Sequence, residues 1–549
     1  DMGLATAVDA ATNVYLAGLF SGTVAFGTSN LVSSGGTDVL LAKYDAAGRL
    51  LWATQAGGEL GDFANSLAVD PAGNLLVVGG FESSRAVFGG WVLTNNYRSR
   101  DLFVAKYDRA GHALWARRAG TMGYDEAKAV ATDSGGNVYV TGSYYDTILF
   151  DSIGLTNRYY YTNFFLTKYD PEGKVLWART TTGPSLCQGS GVTVDAATNV
   201  YVTGDLLGRA DFGSGSLTNT NSYLNGTVFV AKYDREGTLL WVRKGAKTGI
   251  GYGQAIVVDK AGEVYATSYK RDYGIGYLLS RYDGDGNVGW YRANAISCCT
   301  GDATYANGLA LDLTGNPVLT GAGNGSIEGL TNYFTGGYVL KFRSDGEGFW
   351  MQRCGTVGNS VASDRSGGLY VAGRFTGQGF FGASNLVSAG ANDAFLVKFG
   401  VRPPAITVGP ASQQVVLGGS VVLRVSATGS GPLAYQWQFN GVNLAGATGS
   451  TLTLGSFKPA EAGKYSVIVQ NTSGAIISQV AVLTFVPTLD FTRTSDALLL
   501  NWPGTFTLQT ATNVGGPYED VTSAPHHYTN WIGPGAGERF FRLRAPLDP

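Results

Sequence analysis

The stretch Asp70-Pro-Ala-Gly-Asn-Leu-Leu-Val-Val-Gly-Gly-Phe81, followed by Phe88-Gly89, Asp101-Leu-Phe-Val-Ala-Lys-Tyr-Asp108, Gly111, Leu114 and Trp115, decides the fold. It is the fullest of seven copies between residues 5 and 400. The first aspartate of each copy is Asp9, Asp70, Asp133, Asp195, Asp259, Asp312 or Asp364, at spacings of 61, 63, 62, 64, 53 and 52 residues. A tryptophan recurs at Trp52, Trp115, Trp177, Trp241, Trp290 and Trp350. A fixed period of this size means that each unit buries its faces against its neighbours.

One copy holds four short apolar runs, at 66–69, 75–78, 102–107 and 113–116. Val, Leu, Tyr, Phe and Trp fill them, and Asp, Asn and Gly fill the gaps, which is strand and turn chemistry. Asp70 to Asn74 and Tyr107 to Gly111 are hairpin turns, with glycine supplying the positive φ. No segment has sustained helical periodicity, so almost no helix is expected. Four antiparallel strands in seven repeats predict a seven-bladed β-propeller over residues 1–401, with repeats starting near residues 3, 64, 127, 189, 253, 306 and 358.

The first strand of each repeat agrees. Six residues before the aspartates lie Gly3, Ala64, Ala127, Gly189, Gly253, Ala306 and Gly358. Four before lie Ala5, Ser66, Ala129, Gly191, Ala255, Gly308 and Ser360. Blades converge on a propeller's axis, so the innermost strand needs small side chains on the face it turns to the next blade.

The Asp-x-x-Gly-Asn-Val-Tyr-Val-Thr-Gly signature (133–142) and the Ala-Lys-Tyr-Asp-x-x-Gly-x-x-Leu-Trp signature (105–115) resemble the seven-bladed β-propeller repeat family of secreted bacterial proteins. That resemblance implies an extracellular or surface protein and leaves the activity open. Repeat 7 lacks a Leu-Trp strand and runs into Arg402-Pro403-Pro404. Three sources are open for it: residues upstream of Asp1, which is the favoured one, a strand from a partner chain, or no strand at all. An uncovered edge is one that proteins avoid.

Residues 402–486 resemble an immunoglobulin-like sandwich. Gly419-Ser-Val-Val-Leu-Arg-Val425 matches its second strand, Trp437 its core tryptophan, and Ala462-Gly-Lys-Tyr465-Ser-Val467 its tyrosine corner. Val425 and Val467 stand where that family has its two cysteines, so the disulfide is absent. Residues 487–549 form a third, small unit with Leu498-Leu-Leu-Asn-Trp502, Phe506-Thr-Leu-Gln-Thr510 and Phe540-Phe-Arg-Leu543. It reads as a small β-sandwich-like module, marginal for independent stability at about 60 residues and expected to pack on its neighbour. The fold class is therefore all-β throughout.

Composition narrows the function. Charged residues are 15%, net charge is −2, and there are 80 Gly and 30 Tyr. No basic stripe exists, which speaks against nucleic-acid partners. No apolar run reaches 18 residues, which speaks against a membrane span by a helix. A chain that opens on Asp1 inside a repeat fits a processed or truncated product whose signal peptide has been removed. The low charge also suits close packing into an assembly.

Catalytic signals are sparse. His112 lies in a hairpin turn and His526-His527 in the third unit, with no nucleophile motif and no zinc spacing. The repeated aspartates read as turn formers, so no metal and no cofactor is expected. Cys187, Cys298, Cys299 and Cys354 fall between a fourth strand and the next first strand, where a loop-stapling disulfide is expected, with Cys298 or Cys299 in reach of Cys354.

The best candidate for ligand binding is the mouth where the first strands begin. Asn65, Lys128, Ser190, Gln254, Asn307 and Asn359 stand five residues before their aspartates. Phe63, Tyr252 and Tyr305 stand seven before. Amides beside aromatic faces would suit a sugar.

Three functions follow as expectations. The first is a non-enzymatic extracellular structural or adhesive surface protein whose partner is itself, as oligomer or filament, or an extracellular polymer. Its contacts would be edge strands or C-terminal modules. The second is a carbohydrate-binding or polysaccharide-processing protein that uses the mouth. Processing would need paired carboxylates, and Asp125, Glu126 and Asp302 lie nearby in sequence. The third is a quinoprotein dehydrogenase, because Gly-x-x-Leu-Trp and Cys298-Cys299 resemble quinone-dependent propellers. Those have eight blades, and their calcium-ligand set is not found here.

Overall fold

The computed structural model describes residues 1–549 except 27–28, 96–98, 160, 220–225, 247–250, 271–275, 294–304, 328–329, 382–383, 401–403, 417, 430–431, 472–473, 487–488, 503–505, 523–526 and 545–549. The chain divides into two compact units, Asp1–Gly400 and Val401–Pro549. Among the described residues the one helical element is the 3-10 turn Pro459–Glu461.

The first unit is a ring of seven antiparallel sheets. In blade 2 the order from the axis outwards is Asp62–Val69, Leu75–Phe81, Asp101–Tyr107 and Ala113–Ala119. Blades 1 to 6 each have such a four-stranded path. Among the described residues the sheet of blade 7 has three strands, Val357–Ser363, Leu369–Phe375 and Asp393–Phe399. Each innermost strand packs on the next, and that of blade 7 on that of blade 1. Asn359 Nδ2 donates to Gly3 O at 2.8 Å, and Thr6 N to Ser360 Oγ at 3.1 Å, across this seam.

The small inner face has the predicted steric cause. A Cβ on Gly308 would lie 2.9 Å from Ser360 Cα, and one on Gly191 would lie 3.2 Å from Ala255 Cα of the following blade. The repeated aspartate knits its own turn. Asp70 Oδ1 accepts Asn74 N at 2.8 Å, its Oδ2 accepts Asn74 Nδ2 at 2.9 Å, and Lys106 Nζ pairs with it at 2.9 Å. Burial alone would raise the Asp70 pKa, but the bonds from Asn74 and Lys106 outweigh it and hold it below the ordinary value. Gly73 takes φ +82° in that turn, a conformation that only glycine enters cheaply.

The Phe-Gly element is a feature the strand count missed. It closes a hairpin between the second and third strands, Arg85–Phe88 with Trp91–Thr94 in blade 2. Its phenylalanine folds back on the third strand, so Phe88 meets Phe103 at 4.6 Å, Phe150 meets Phe165 at 5.2 Å, and Phe381 meets Phe395 at 4.8 Å between ring centroids. Each such pair contributes about 0.5–1.5 kcal/mol beyond its burial.

In the second unit, strands Val421–Arg424 and Thr451–Leu454 pair. The larger sheet contains Gln413–Val416, Ala481–Val486, Gly463–Asn471 and Ala434–Phe439. Val425, Trp437 and Val467 are buried in one core. Tyr465 Oη donates to Glu461 O at 2.8 Å, the expected tyrosine corner. The C-terminal module has two three-stranded sheets around Leu500, Trp502 and Leu508. Its Phe506 meets Phe485 of the sandwich edge-on at 5.3 Å.

Candidate functional site

The six polar residues singled out at the mouth share one local cause. Every first strand carries a β-bulge, and the residue inside it is Leu4, Asn65, Lys128, Ser190, Gln254, Asn307 or Asn359. A bulge leaves one residue unpaired and re-aims its side chain. Here several of the re-aimed groups bond to the next blade. Asn65 Nδ2 donates to Glu126 Oε1 at 2.8 Å and to Ala127 O at 2.9 Å. Lys128 Nζ donates to Gln188 Oε1 at 2.7 Å, and Asn307 Nδ2 to Gly358 O at 3.1 Å. With the Asn359 bond, these residues act as clips between blades. Asn65→Ala is therefore expected to lower propeller stability by about 1–3 kcal/mol, measured by thermal denaturation. An unchanged midpoint would remove the clip role.

The aromatic residues gather on two sides of the mouth. Tyr252 stacks on Tyr269 with centroids 5.5 Å apart and planes at 20°, and Tyr269 meets Tyr305 at 5.2 Å. Phe63 lies under the Arg100 guanidinium at 4.6 Å, and Tyr124 flanks the same group at 5.6 Å. Arg100 also pairs with Glu82 at 2.8 Å and with Glu126 at 3.5 Å.

Buried carboxyls at this end escaped the sequence reading. Asp62 and Asp125 occupy the position eight residues before their repeat aspartates, and Asp101 and Asp205 sit beside the same strand ends. Burial pushes Asp125 up to about 7, and the charges of Asp101 and Asp146 add to it, against N–H bonds from Thr121 and Tyr145. Burial pushes Asp205 up to about 7, with Lys128 opposing, and Asp101 up to about 6, with Arg118 opposing. Asp62 is raised by burial as well, against its bonds from Ser83 and Gly58. Asp125 is 0% exposed and Asp205 is 4% exposed, so no substrate reaches them and their protons bear on folding. Of the other carboxylates considered for catalysis, Glu126 is engaged by Asn65 and Arg100. Asp302 lies outside the described residues.

The cysteine expectation is corrected at two positions. Cys187 and Cys354 are free and buried. Cys187 falls within the innermost strand Ser185–Val194, at the register of Asp62 and Asp125, and joins an apolar core rather than a loop. Cys354 Sγ faces Thr320 Oγ1 at 3.8 Å, and burial pushes its thiol up to about 12. Such thiols are unreactive. Cys298 and Cys299 lie outside the described residues, as does His526. His112 is in its turn, with Nδ1 3.1 Å from Asp108 Oδ2.

The rim offers a different surface. The outermost strands of blades 1 to 4 turn their tryptophan inward, so the preceding leucine must point out. Leu51, Leu114, Leu176 and Leu240 are accordingly between 45% and 52% exposed. Each sits on the last strand of its sheet path, with an outer edge that no other described strand covers.

The chain is similar to proteins of two kinds. The family described as Beta-propeller repeat matches residues 51–79 and 114–143, and the family described as Immunoglobulin domain matches residues 403–471. The chain therefore carries β-propeller repeats and an immunoglobulin-like domain. It is 31% identical over 154 residues to an uncharacterized WD repeat-containing protein of Acanthamoeba polyphaga mimivirus, a match covering 25% of this chain and 11% of that protein. It is 37% identical over 110 residues to the regulatory protein FlaEY of Caulobacter vibrioides, covering 20% of this chain and 12% of that protein. The chain thus spans only a small part of the length of the curated relatives it matches. A solved complex of titin and obscurin-like immunoglobulin domains matches 16% of this chain and 96% of its own, at 27% identity and a TM-score of 0.15. Among the described residues, no helix is long and apolar enough to cross a membrane.

Proposed function

We propose that this is a non-enzymatic extracellular structural or adhesive protein that associates with its own copies, or with an extracellular polymer, through the rim of the propeller. The observation that carries this reading is the set of four exposed leucines on open strand edges. An open edge offers a row of main-chain donors and acceptors, and an apolar side chain beside it adds a reason to be covered. The low charge supports it, since little charge need be desolvated. The use of mouth side chains as clips between blades supports it too. The test is electron microscopy and concentration-dependent light scattering on the wild type and on a Leu114→Lys/Leu176→Lys double variant. The expected result is filaments, arrays or oligomers for the wild type, and dispersed molecules of unchanged melting temperature for the variant. Dispersed wild-type molecules at all concentrations, without adhesion to polymer, would sink the reading.

A second reading, glycan binding at the mouth, draws on the ladder of Tyr252, Tyr269 and Tyr305, whose faces would stack on sugar rings. Glycan-array binding that is lost in Tyr305→Ala would favour it.

A further inference from the structure

At the end of the propeller opposite the mouth, neighbouring blades are bound together by their tryptophans. Each Nε1 donates to the outer turn of the next blade, from Trp52 to Arg109 O at 3.0 Å, Trp115 to Pro171 O at 3.1 Å, Trp177 to Arg235 O at 3.1 Å, Trp241 to Gly284 O at 3.0 Å and Trp290 to Ser344 O at 2.8 Å. Between blades 3 and 4 Arg179 adds to the closure, its Nε donating to Gly237 O at 2.8 Å. At the mouth end the same two blades part and leave a cleft of about 530 Å³. That volume lies within the range of about 300–1,000 Å³ usual for small-ligand pockets. Three segments wall it: residues 156–159 at the end of the blade 3 hairpin, residues 181–184 leading into the innermost strand of blade 4, and residues 209 and 211 of the strand Val200–Asp211.

These walls are held from behind. Asn157 is buried, with its N donating to Asp146 O at 2.6 Å and its Nδ2 to Tyr161 O at 2.5 Å. Its Oδ1 accepts Tyr159 N at 3.1 Å, which sets the turn that carries Arg158 and Tyr159. Thr182 and Asp211 fasten the opposite wall, since Thr182 N donates to Asp211 O at 2.9 Å and Asp211 N to Thr182 O at 2.8 Å. Gly183 takes φ +107°, and a Cβ on it would lie 2.6 Å from Arg209 O. Only glycine fits that position. Ala210 and Phe212 enter the blade core, so strand alternation turns Arg209 and Asp211 to the other face, which is the cleft.

The charges in the cleft are left without partners. Among the described residues neither the Arg158 nor the Arg209 guanidinium makes a hydrogen bond or an ion pair. The guanidinium of Arg100, by contrast, is bound by Glu82 and Glu126. Asp211 Oδ1 accepts Gly213 N at 3.0 Å, while its Oδ2 has no partner among the described residues. The Gly183 N–H has none there either. Tyr159 is 48% exposed.

We propose that this cleft binds an acidic sugar, a uronate residue of an extracellular polysaccharide. A carboxylate accepts two parallel N–H bonds from one guanidinium, and a second guanidinium strengthens the hold. Gly183 N–H is a further donor. Tyr159 offers a ring face to the apolar side of the pyranose. Asp211 tells against a bare phosphate or sulfate, because it repels a compact anion and accepts bonds from sugar hydroxyls. One carboxylate and several hydroxyls on one ring use every group in the cleft. The inference rests on the polymer branch of the functional reading and gives that polymer its chemistry and its seat. The rim leucines and the tyrosine ladder of the mouth take no part in it.

Isothermal titration calorimetry on residues 1–549 tests this with two probes, tetragalacturonate and a hyaluronan tetrasaccharide, which carry the two common uronates. At least one should bind saturably, more weakly as salt rises. The methyl ester of that probe and inorganic phosphate should each bind at least about tenfold more weakly. Arg158→Ala and Arg209→Ala should each weaken binding about tenfold, and Tyr159→Ala about threefold. Arg209→Lys should not restore it, because lysine lacks the fork. All four variants should keep the wild-type melting temperature, since these side chains are exposed. Failure of both probes to bind would overturn the cleft, as would binding that both arginine variants retain. Phosphate binding as tight as the sugar would mean a simple anion site and would overturn the sugar. The Leu114→Lys/Leu176→Lys variant should bind the probe as the wild type does. Assembly without uronate binding would therefore refute the cleft alone, and uronate binding by a chain that never assembles would uphold the cleft and remove the rim.

Discussion

Trp437→Ala is expected to unfold the immunoglobulin-like domain while the propeller's own transition stays in place. The indole is 0% exposed and packs in one cluster with Val425, Val467 and Tyr465. Its Nε1 donates to Gly449 O at 2.9 Å. Truncating a buried tryptophan to alanine costs about 3–5 kcal/mol. Domains of this size have only about 5–15 kcal/mol in all. This one also lacks the bridge that typically contributes about 2–4 kcal/mol. Near-ultraviolet circular dichroism during heating would show the loss. Trp437→Phe should restore part of it, because it keeps most of the ring volume and gives up only the donor. A melting curve identical to wild type for the alanine variant would mean that the sandwich core is held elsewhere.

Propeller stability is expected to fall as pH rises from 4 to 8, against the usual preference of proteins for neutrality. Asp125 and Asp205 titrate near the ordinary carboxylate value of 3.8 when unfolded and at about 7 when folded. The folded state therefore holds their protons more tightly, and stability is lost as each ionises between those values. Each carboxyl costs on the order of 4 kcal/mol once pH exceeds 7. Asp70, Asp312 and Asp364 work in the other direction, because hydrogen bonds and lysine partners hold their folded values low against the effect of burial. Their contribution is present above 3.8 and fades as pH falls further. The maximum should lie near pH 4–5. Asp205→Asn should flatten the slope above that maximum, because the amide has no proton to lose in this range and Asp205 is one of the two carboxyls that burial raises most. A stability profile that rises towards pH 8 would refute the assignment.

The blades, their count and the short seventh blade were legible because their cause is local and repeated. The aspartate is spent on its own turn, the tryptophan on the next blade's turn, and small residues on a face with no room. The sandwich was legible for the same reason, through Trp437 and Tyr465. The mouth was legible only as a position. Asn65 and Asn359 stand at a fixed count from the aspartate, but the bulge that turns them towards the next blade depends on pairing across the strand, which a linear count does not contain. One inserted residue reverses which face a side chain takes. Asp125 and Cys187 share a register eight residues before their aspartates. Carrying the count that far would have placed the cysteine inside a blade and exposed the row of buried acids. The Phe-Gly hairpin was visible as a motif, yet its meaning depends on Phe103, which is distant in sequence.

The tryptophan bonds also set an order of events during synthesis. Each donor lies 57, 56, 58, 43 or 54 residues ahead of its acceptor. As the chain leaves the ribosome, no blade can finish until most of the following one has emerged. Meanwhile the waiting indole is exposed to solvent. The dependence runs in one direction around the ring and returns to its origin through a lysine, since Lys398 Nζ of blade 7 donates to Ala46 O in blade 1 at 3.3 Å. The earliest turn to be made is thus the last to be used. Nascent chains arrested one blade short should bind hydrophobic dyes and chaperones that completed chains ignore.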